Sequence, residues 1–138
     1  MLNAIPLTVI PLILYNLIGY GIGTADPWAS QIFSLTMLSG LAWTADLGDF
    51  MIVLAIVLLF FEVMRAARLP AGAISNHVLS TIVLIVYVVE FIVAGAAAHS
   101  VFFILTLIAL FDVVAGFSIT MRTAPRDISL DETIDAAF

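Results

Sequence analysis

Long apolar runs dominate the chain and predict membrane-spanning helices. An α-helix needs about 20 mostly apolar residues to cross the roughly 30 Å hydrocarbon core of a bilayer. Three runs meet this requirement directly, at residues 47–64, 78–98 and 101–121. Residues 5–22 are long enough too but contain Pro6 and Pro11, so we predict a fourth span with a bend near Pro11. The fold class expected for residues 1–121 is an all-α integral membrane protein, a small bundle of about four transmembrane helices.

The segment between the first two spans, residues 27–45, is less apolar. Its polar side chains are Ser30, Gln31, Ser34, Thr36, Ser39 and Thr44. Trp28 and Trp43 lie near its ends, and tryptophan concentrates at the membrane–water interface. We therefore predict an interfacial or re-entrant helix here, in preference to a fifth crossing.

The arginines predict the orientation of the spans. They follow the second and the last span, at Arg65, Arg68, Arg122 and Arg126. Since two spans separate the pairs, all lie on one side, which the positive-inside rule makes cytoplasmic. With four spans both termini are cytoplasmic, as expected for a multi-pass protein of a bacterial inner membrane. Residues 122–138 form an acidic tail in which Ser129 and Glu132 match a helix capping box.

Composition narrows the classes of function. The 138 residues are 64% hydrophobic and 10% charged, whereas a soluble domain carries about 25% charge. With four basic residues and a net charge of −6, the chain has no basic surface for nucleic acid. It has no cysteine, which excludes thiolate metal sites and disulfides within the chain. We expect no cofactor and no metal.

Two acidic residues fall near the middle of predicted spans. Glu90 lies within residues 78–98 and Asp112 within residues 101–121. Such residues are costly in a membrane and usually face the bundle interior. Measured from the turn between the spans, they differ in depth by about 6 Å, which places Tyr87 level with Asp112. We predict a Tyr87–Asp112 hydrogen bond and a proton shared between Glu90 and Asp112. These groups form either a proton or cation relay or hydrogen bonds that hold the helices together.

Other ionisable residues lie toward the span ends. Glu62 and Arg65, three residues apart, predict a rim ion pair. His99 is predicted to lie in the outer turn beside Asp46 or Asp49, as a candidate outer-face site. His77 and His99 are about 33 Å apart on one helix, so they cannot bind one haem together within a chain.

The sequence favours no enzymatic activity, because motifs such as GxSxG, HExxH or a phosphate loop are absent. An accessory, assembly or structural subunit of a membrane complex is the first hypothesis. The alternative is an oligomeric proton- or cation-coupled channel or transporter that uses Glu90 and Asp112. In either case the expected partners are the lipid bilayer and further copies or other membrane-protein subunits.

Overall fold

The structure, a computed structural model, describes residues 5–22, 25–68 and 74–123. It is mostly helical, with a small two-stranded sheet between the first and second helices. The elements in chain order are α1 (Val9–Gly21), β1 (Gln31–Thr36), β2 (Ala42–Asp46), α2 (Leu47–Arg68), α3 (Ile74–Val93) and α4 (Ser100–Thr123). Residues 122 and 123 of the predicted tail belong to α4, and the rest of the tail, with Arg126 and the capping box, lies outside the described residues.

Three of the helices, α2, α3 and α4, are long and apolar enough to cross a membrane. Helix α4 packs against both α2 and α3. At the start of α2, Gly48 lies so close to α4 that an added Cβ would come within 2.7 Å of Val101 Cγ2. Since α2 and α4 begin side by side, they run parallel. Helix α3, which lies between them in the sequence, runs in the opposite direction.

This parallel arrangement places three arginines at one end of the bundle, which we call the arginine end. Arg65 and Arg68 lie in the last turn of α2, and Arg122 lies in the last turn of α4. The opposite end carries the strands and is called the hairpin end.

Aromatic rings form the centre of the core. Phe102 on α4 is fully buried, and its ring lies 4.7 Å from Tyr15 and 5.4 Å from Tyr87 between centroids. Tyr15 stacks on Trp28 at 4.3 Å, and its hydroxyl donates to the carbonyl of Ala96 at 2.8 Å. Through these contacts, α1 packs against the segment that precedes the hairpin and is hydrogen-bonded to the turn after α3.

The first predicted span is only partly helical. Helix α1 covers 13 residues and is too short to count among the three long helices. Pro11, where a bend was expected, lies in the first turn of α1, and there its missing N–H group costs no hydrogen bond. Residues 5–8 precede the helix as a turn, with Pro6 and Thr8 buried.

The helix predicted for residues 27–45 is wrong, because this segment forms an antiparallel β-hairpin. Phe33 pairs with Ala45 and Leu35 with Trp43, so these apolar residues share one face. The other face carries small or polar pairs, Ser34 with Thr44 and Thr36 with Ala42. Gly40 turns the chain with a φ of 82°, a conformation open to glycine.

Helix α3 is also shorter than the predicted span 78–98 at its end. It stops at Val93, and a single 3₁₀ turn follows at Gly95–Ala97. The Ala94 N–H still donates to the Glu90 carbonyl at 2.8 Å, after which the chain turns toward α4. In this connection Ala97 is fully buried, and the Ala96 carbonyl accepts the hydrogen bond from the Tyr15 hydroxyl.

Candidate functional site

A buried polar cluster occupies the bundle interior where the turn before α1 meets the three long helices. Its first member is Glu62 of α2, whose side chain is 1% exposed. One Glu62 oxygen accepts from Arg65 Nη2 at 2.7 Å and from Asn76 Nδ2 at 3.2 Å. The other accepts from the Leu7 N–H at 3.1 Å. Glu62 therefore joins α2, α3 and the turn before α1.

Arg65 extends these contacts toward the arginine end. Its Nη2 also donates to the Ile5 carbonyl at 2.9 Å and to Asn76 Oδ1 at 3.2 Å. The ion pair with Glu62 that the spacing predicts is therefore present. It differs from a simple rim pair because the carboxylate is buried and shared among three elements.

Asp112 of α4 is the second buried carboxylate. It is 5% exposed, and its Oδ2 accepts a hydrogen bond from the Thr8 hydroxyl at 3.3 Å. The buried Ser80 hydroxyl also interacts with it, and Glu62 and Arg65 act on it electrostatically. The cluster thus contains two carboxyl groups and one guanidinium.

The predicted Tyr87–Asp112 hydrogen bond is wrong. The Tyr87 hydroxyl donates instead to the Thr8 carbonyl at 2.9 Å. Thr8 lies between the two side chains, with its backbone oxygen toward Tyr87 and its hydroxyl toward Asp112. Thr8, a residue of the turn before α1, therefore contacts both side chains.

Glu90 does not join this cluster. It is half-buried on α3 and acts electrostatically on Tyr15 and Tyr87. In the described part of the chain, no hydrogen bond connects its side chain to Asp112. The acid that acts electrostatically on Asp112 is instead Glu62, which the sequence placed nearer the rim.

Sequence reasoning missed Thr8, Asn76 and Ser80. On α3, Asn76, Ser80 and Tyr87 recur at spacings of four and seven residues, which places them on one helix face. This polar stripe on an apolar helix indicates a face that packs against other polar groups inside the bundle. Thr8 gives no such indication, because its role depends on the chain leaving the helical conformation before Val9.

The cluster supplies hydrogen-bond partners to the non-helical backbone before α1. Within a membrane, backbone groups outside a helix must find partners inside the protein. The Leu7 N–H donates a hydrogen bond to Glu62. The Ile5 carbonyl accepts one from Arg65, and the Thr8 carbonyl accepts one from Tyr87. Pro6 has no N–H to satisfy. The cluster therefore holds the turn before α1 in place.

A second polar region lines a cavity of about 390 Å³ at the hairpin end, beside His99. His99 Nε2 lies 3.6 Å from Asp26 Oδ2, a carboxylate that the sequence did not pair with it. The predicted neighbours of His99, Asp46 and Asp49, line the same cavity. Asp46 Oδ1 accepts from the Asp49 N–H at 2.9 Å, and Asp49 Oδ2 accepts from the Asp46 N–H at 3.1 Å. These two carboxylates thus cap the start of α2.

Among residues 5–22, 25–68 and 74–123, no group of three or more metal-ligating side chains forms a metal site.

His77 lies in the first turn of α3, away from this cavity. Its ring is 5.9 Å from that of Phe117, between centroids, and its Nδ1 is buried without a partner in the described part of the chain. His77 therefore lies on α3, whereas His99 lies beyond the 3₁₀ turn that follows α3, so the prediction that both lie on one helix is wrong.

The hairpin exposes an apolar face. Leu35 is 55% exposed, Leu41 74% and Trp43 48%. The Phe33 ring contacts Trp43 at 5.6 Å and Phe50 of α2 at 6.1 Å, between centroids. This apolar face is therefore continuous with the exposed apolar surface of α2.

Comparison with known proteins identifies no relative: no family model, curated protein or solved structure matches the chain. Two features described above therefore carry the functional inference. They are the buried cluster around Glu62 and Asp112 and the exposed apolar face of the hairpin.

Proposed function

We propose that the chain is a multi-pass protein of a bacterial inner membrane, with the arginine end in the cytoplasm. The positive-inside rule supports this orientation, since Arg65, Arg68 and Arg122 share one end. Ile5 contacts Arg65 at that end and α1 runs toward the hairpin end, which supports a cytoplasmic N-terminus. Residues 5–22 then cross as a turn followed by a short helix, for a total of four crossings.

We further propose that the protein is an accessory or assembly subunit of a membrane complex, and that it binds its partner through the hairpin. The observation that carries this proposal is the exposed apolar face of β1 and β2. An isolated two-stranded hairpin is marginally stable in water. A contiguous apolar patch beside polar residues is typical of a protein-binding surface.

The partner that fits this face is another membrane protein with an apolar surface at the non-cytoplasmic side. The hairpin lies at the end opposite the arginines, and its apolar face continues the surface of α2 through Phe33 and Phe50. A partner helix or strand packed there would cover Leu35 and Trp43 together. Aromatic side chains such as Trp43 often dominate the affinity of such interfaces.

The strands offer a matched test of this docking surface. Leu35→Asn and Trp43→Asn change the apolar face, whereas Ser34→Asn and Thr44→Asn change adjacent positions on the other face. We expect the first two variants to lose co-purifying chains by about tenfold or more, because truncated hot-spot residues cost about 2 kcal/mol. The measurement is quantitative mass spectrometry of complexes purified from native membranes in mild detergent.

In the same experiment, the unmodified chain must recover other chains in fixed stoichiometry. Two results contradict the proposal: a homo-oligomer of this chain alone, or equal losses for variants of both hairpin faces. Circular dichroism of each variant checks that such losses do not come from unfolding of the hairpin.

A second candidate function, a proton- or cation-coupled relay in an oligomer, is favoured by the charge of the cluster. Glu62 and Asp112 are buried together with a single guanidinium, that of Arg65. One additional positive charge, such as a proton, neutralises the group. Buried acids of this kind commonly mark ion pathways through membranes.

Asp112→Asn tests the relay because it removes the charge and keeps the shape of the side chain. If the relay operates, proton flux in reconstituted vesicles falls to background, since the second carboxyl is lost. Glu90→Gln is the control, because Glu90 lies outside the cluster, and it should leave the flux unchanged. Absence of flux in the unmodified protein, or equal flux in Asp112→Asn, rejects the relay.

A further inference from the structure

A groove at the arginine end of α2 combines an apolar wall with two cationic side chains. Its volume is about 400 Å³, and it is lined by Phe60, Phe61, Met64, Arg65 and Arg68. Phe60 and Phe61 are 61% and 55% exposed, so both rings point away from the bundle. The groove therefore opens to the surroundings of α2 rather than to the core.

The two arginines differ in what already binds them. Arg65 is held by Glu62, which compensates its charge. Its Nε is nevertheless a buried donor without a partner in the described residues. Arg68, one turn further along α2, is exposed. Among the described residues, Arg68 thus gives the groove one positive charge that no ion pair compensates.

We propose that this groove binds one phospholipid with an anionic headgroup. The phosphate would lie against Arg68, with Arg65 beside it, and an acyl chain would follow Phe61 and Met64 toward the hydrocarbon core. Three properties support this occupant: the single net charge, the apolar wall below it and the location at a helix end near the membrane surface. Basic residues at that depth attract anionic lipids.

The inference rests on the membrane placement proposed above, but it does not depend on hairpin docking. The two proposals can fail separately. Flotation of the protein with vesicles reports membrane insertion in every lipid mixture. Hairpin variants such as Leu35→Asn should retain the lipid, because the groove lies at the other end of the bundle.

The test is native mass spectrometry of the full chain released from bilayers of phosphatidylcholine and phosphatidylglycerol. We expect preferential retention of one phosphatidylglycerol molecule. Arg68→Gln should reduce this retention about fivefold, the change expected for one interfacial arginine. Arg68→Lys keeps the charge and should retain most of the lipid.

Arg122→Gln is the matched control, since Arg122 is exposed at the same end but on α4. It should leave the retention unchanged. Equal retention of both lipids, or equal losses in the Arg68 and Arg122 variants, would overturn the proposal in favour of general surface attraction. Loss of the lipid on addition of inorganic phosphate alone would assign the site to free phosphate instead.

Discussion

Replacement of Glu62 by leucine should destabilise the bundle by about 3–5 kcal/mol, the range for removing one partner of a buried ion pair. The substitution removes acceptors from Arg65, Asn76 and the Leu7 N–H at once. The largest component of this loss comes from the Arg65 guanidinium, which loses its hydrogen-bonded counter-ion. Unfolding in mixed micelles with increasing SDS, followed by circular dichroism, measures the change.

Two further variants test this explanation. Glu62→Leu with Arg65→Leu should recover part of the lost stability, because the unpaired charge is then removed as well. Arg68→Leu, at an exposed position on the same helix, should change the free energy of unfolding by less than about 0.5 kcal/mol. A Glu62→Leu protein as stable as the unmodified one would show that the cluster does not hold the turn before α1.

The second large effect is expected at Phe102. Its ring is fully buried among Tyr15, Tyr87 and Phe91, the last at 6.4 Å between centroids. Phe102→Ala should cost about 3 kcal/mol, the lower end of the range for such cavities. In the proposed membrane placement, the free energy of transfer contributes little to this cost, because lipid, rather than water, surrounds the ring in the unfolded chain.

Phe111→Ala is the control for this prediction, since Phe111 lies on the same helix and is 64% exposed. The same SDS titration should show little change for it. If both phenylalanine variants lose equal stability, packing around Phe102 is not what joins α1 to the long helices.

Much of the fold follows from the sequence. Apolar runs of sufficient length predict α2, α3 and α4, because a helix is the local structure that satisfies its own backbone hydrogen bonds in lipid. The spacing of Glu62 and Arg65 predicts their ion pair in the same way. Both are consequences of local geometry, which the sequence contains.

The segment 27–45 shows where this local reasoning fails. Its tryptophans suggested an interfacial helix, while the alternation from Phe33 to Thr36 is the period of a strand. The period was the better indicator, since pairing with β2 places apolar residues of both strands on one face. A turn at Gly40 made that pairing available.

The sequence by itself determined the three long apolar helices α2, α3 and α4, the shared end of Arg65, Arg68 and Arg122, and the presence of costly acids in the interior. Only the tertiary structure decided which of those acids meet. Glu62 lies beside Asp112 because α2 and α4 run parallel, and Thr8 enters between Asp112 and Tyr87 because α1 begins at that depth. Spacing along one helix fixes the face and depth of a residue, but its partner across the bundle depends on the packing of other helices.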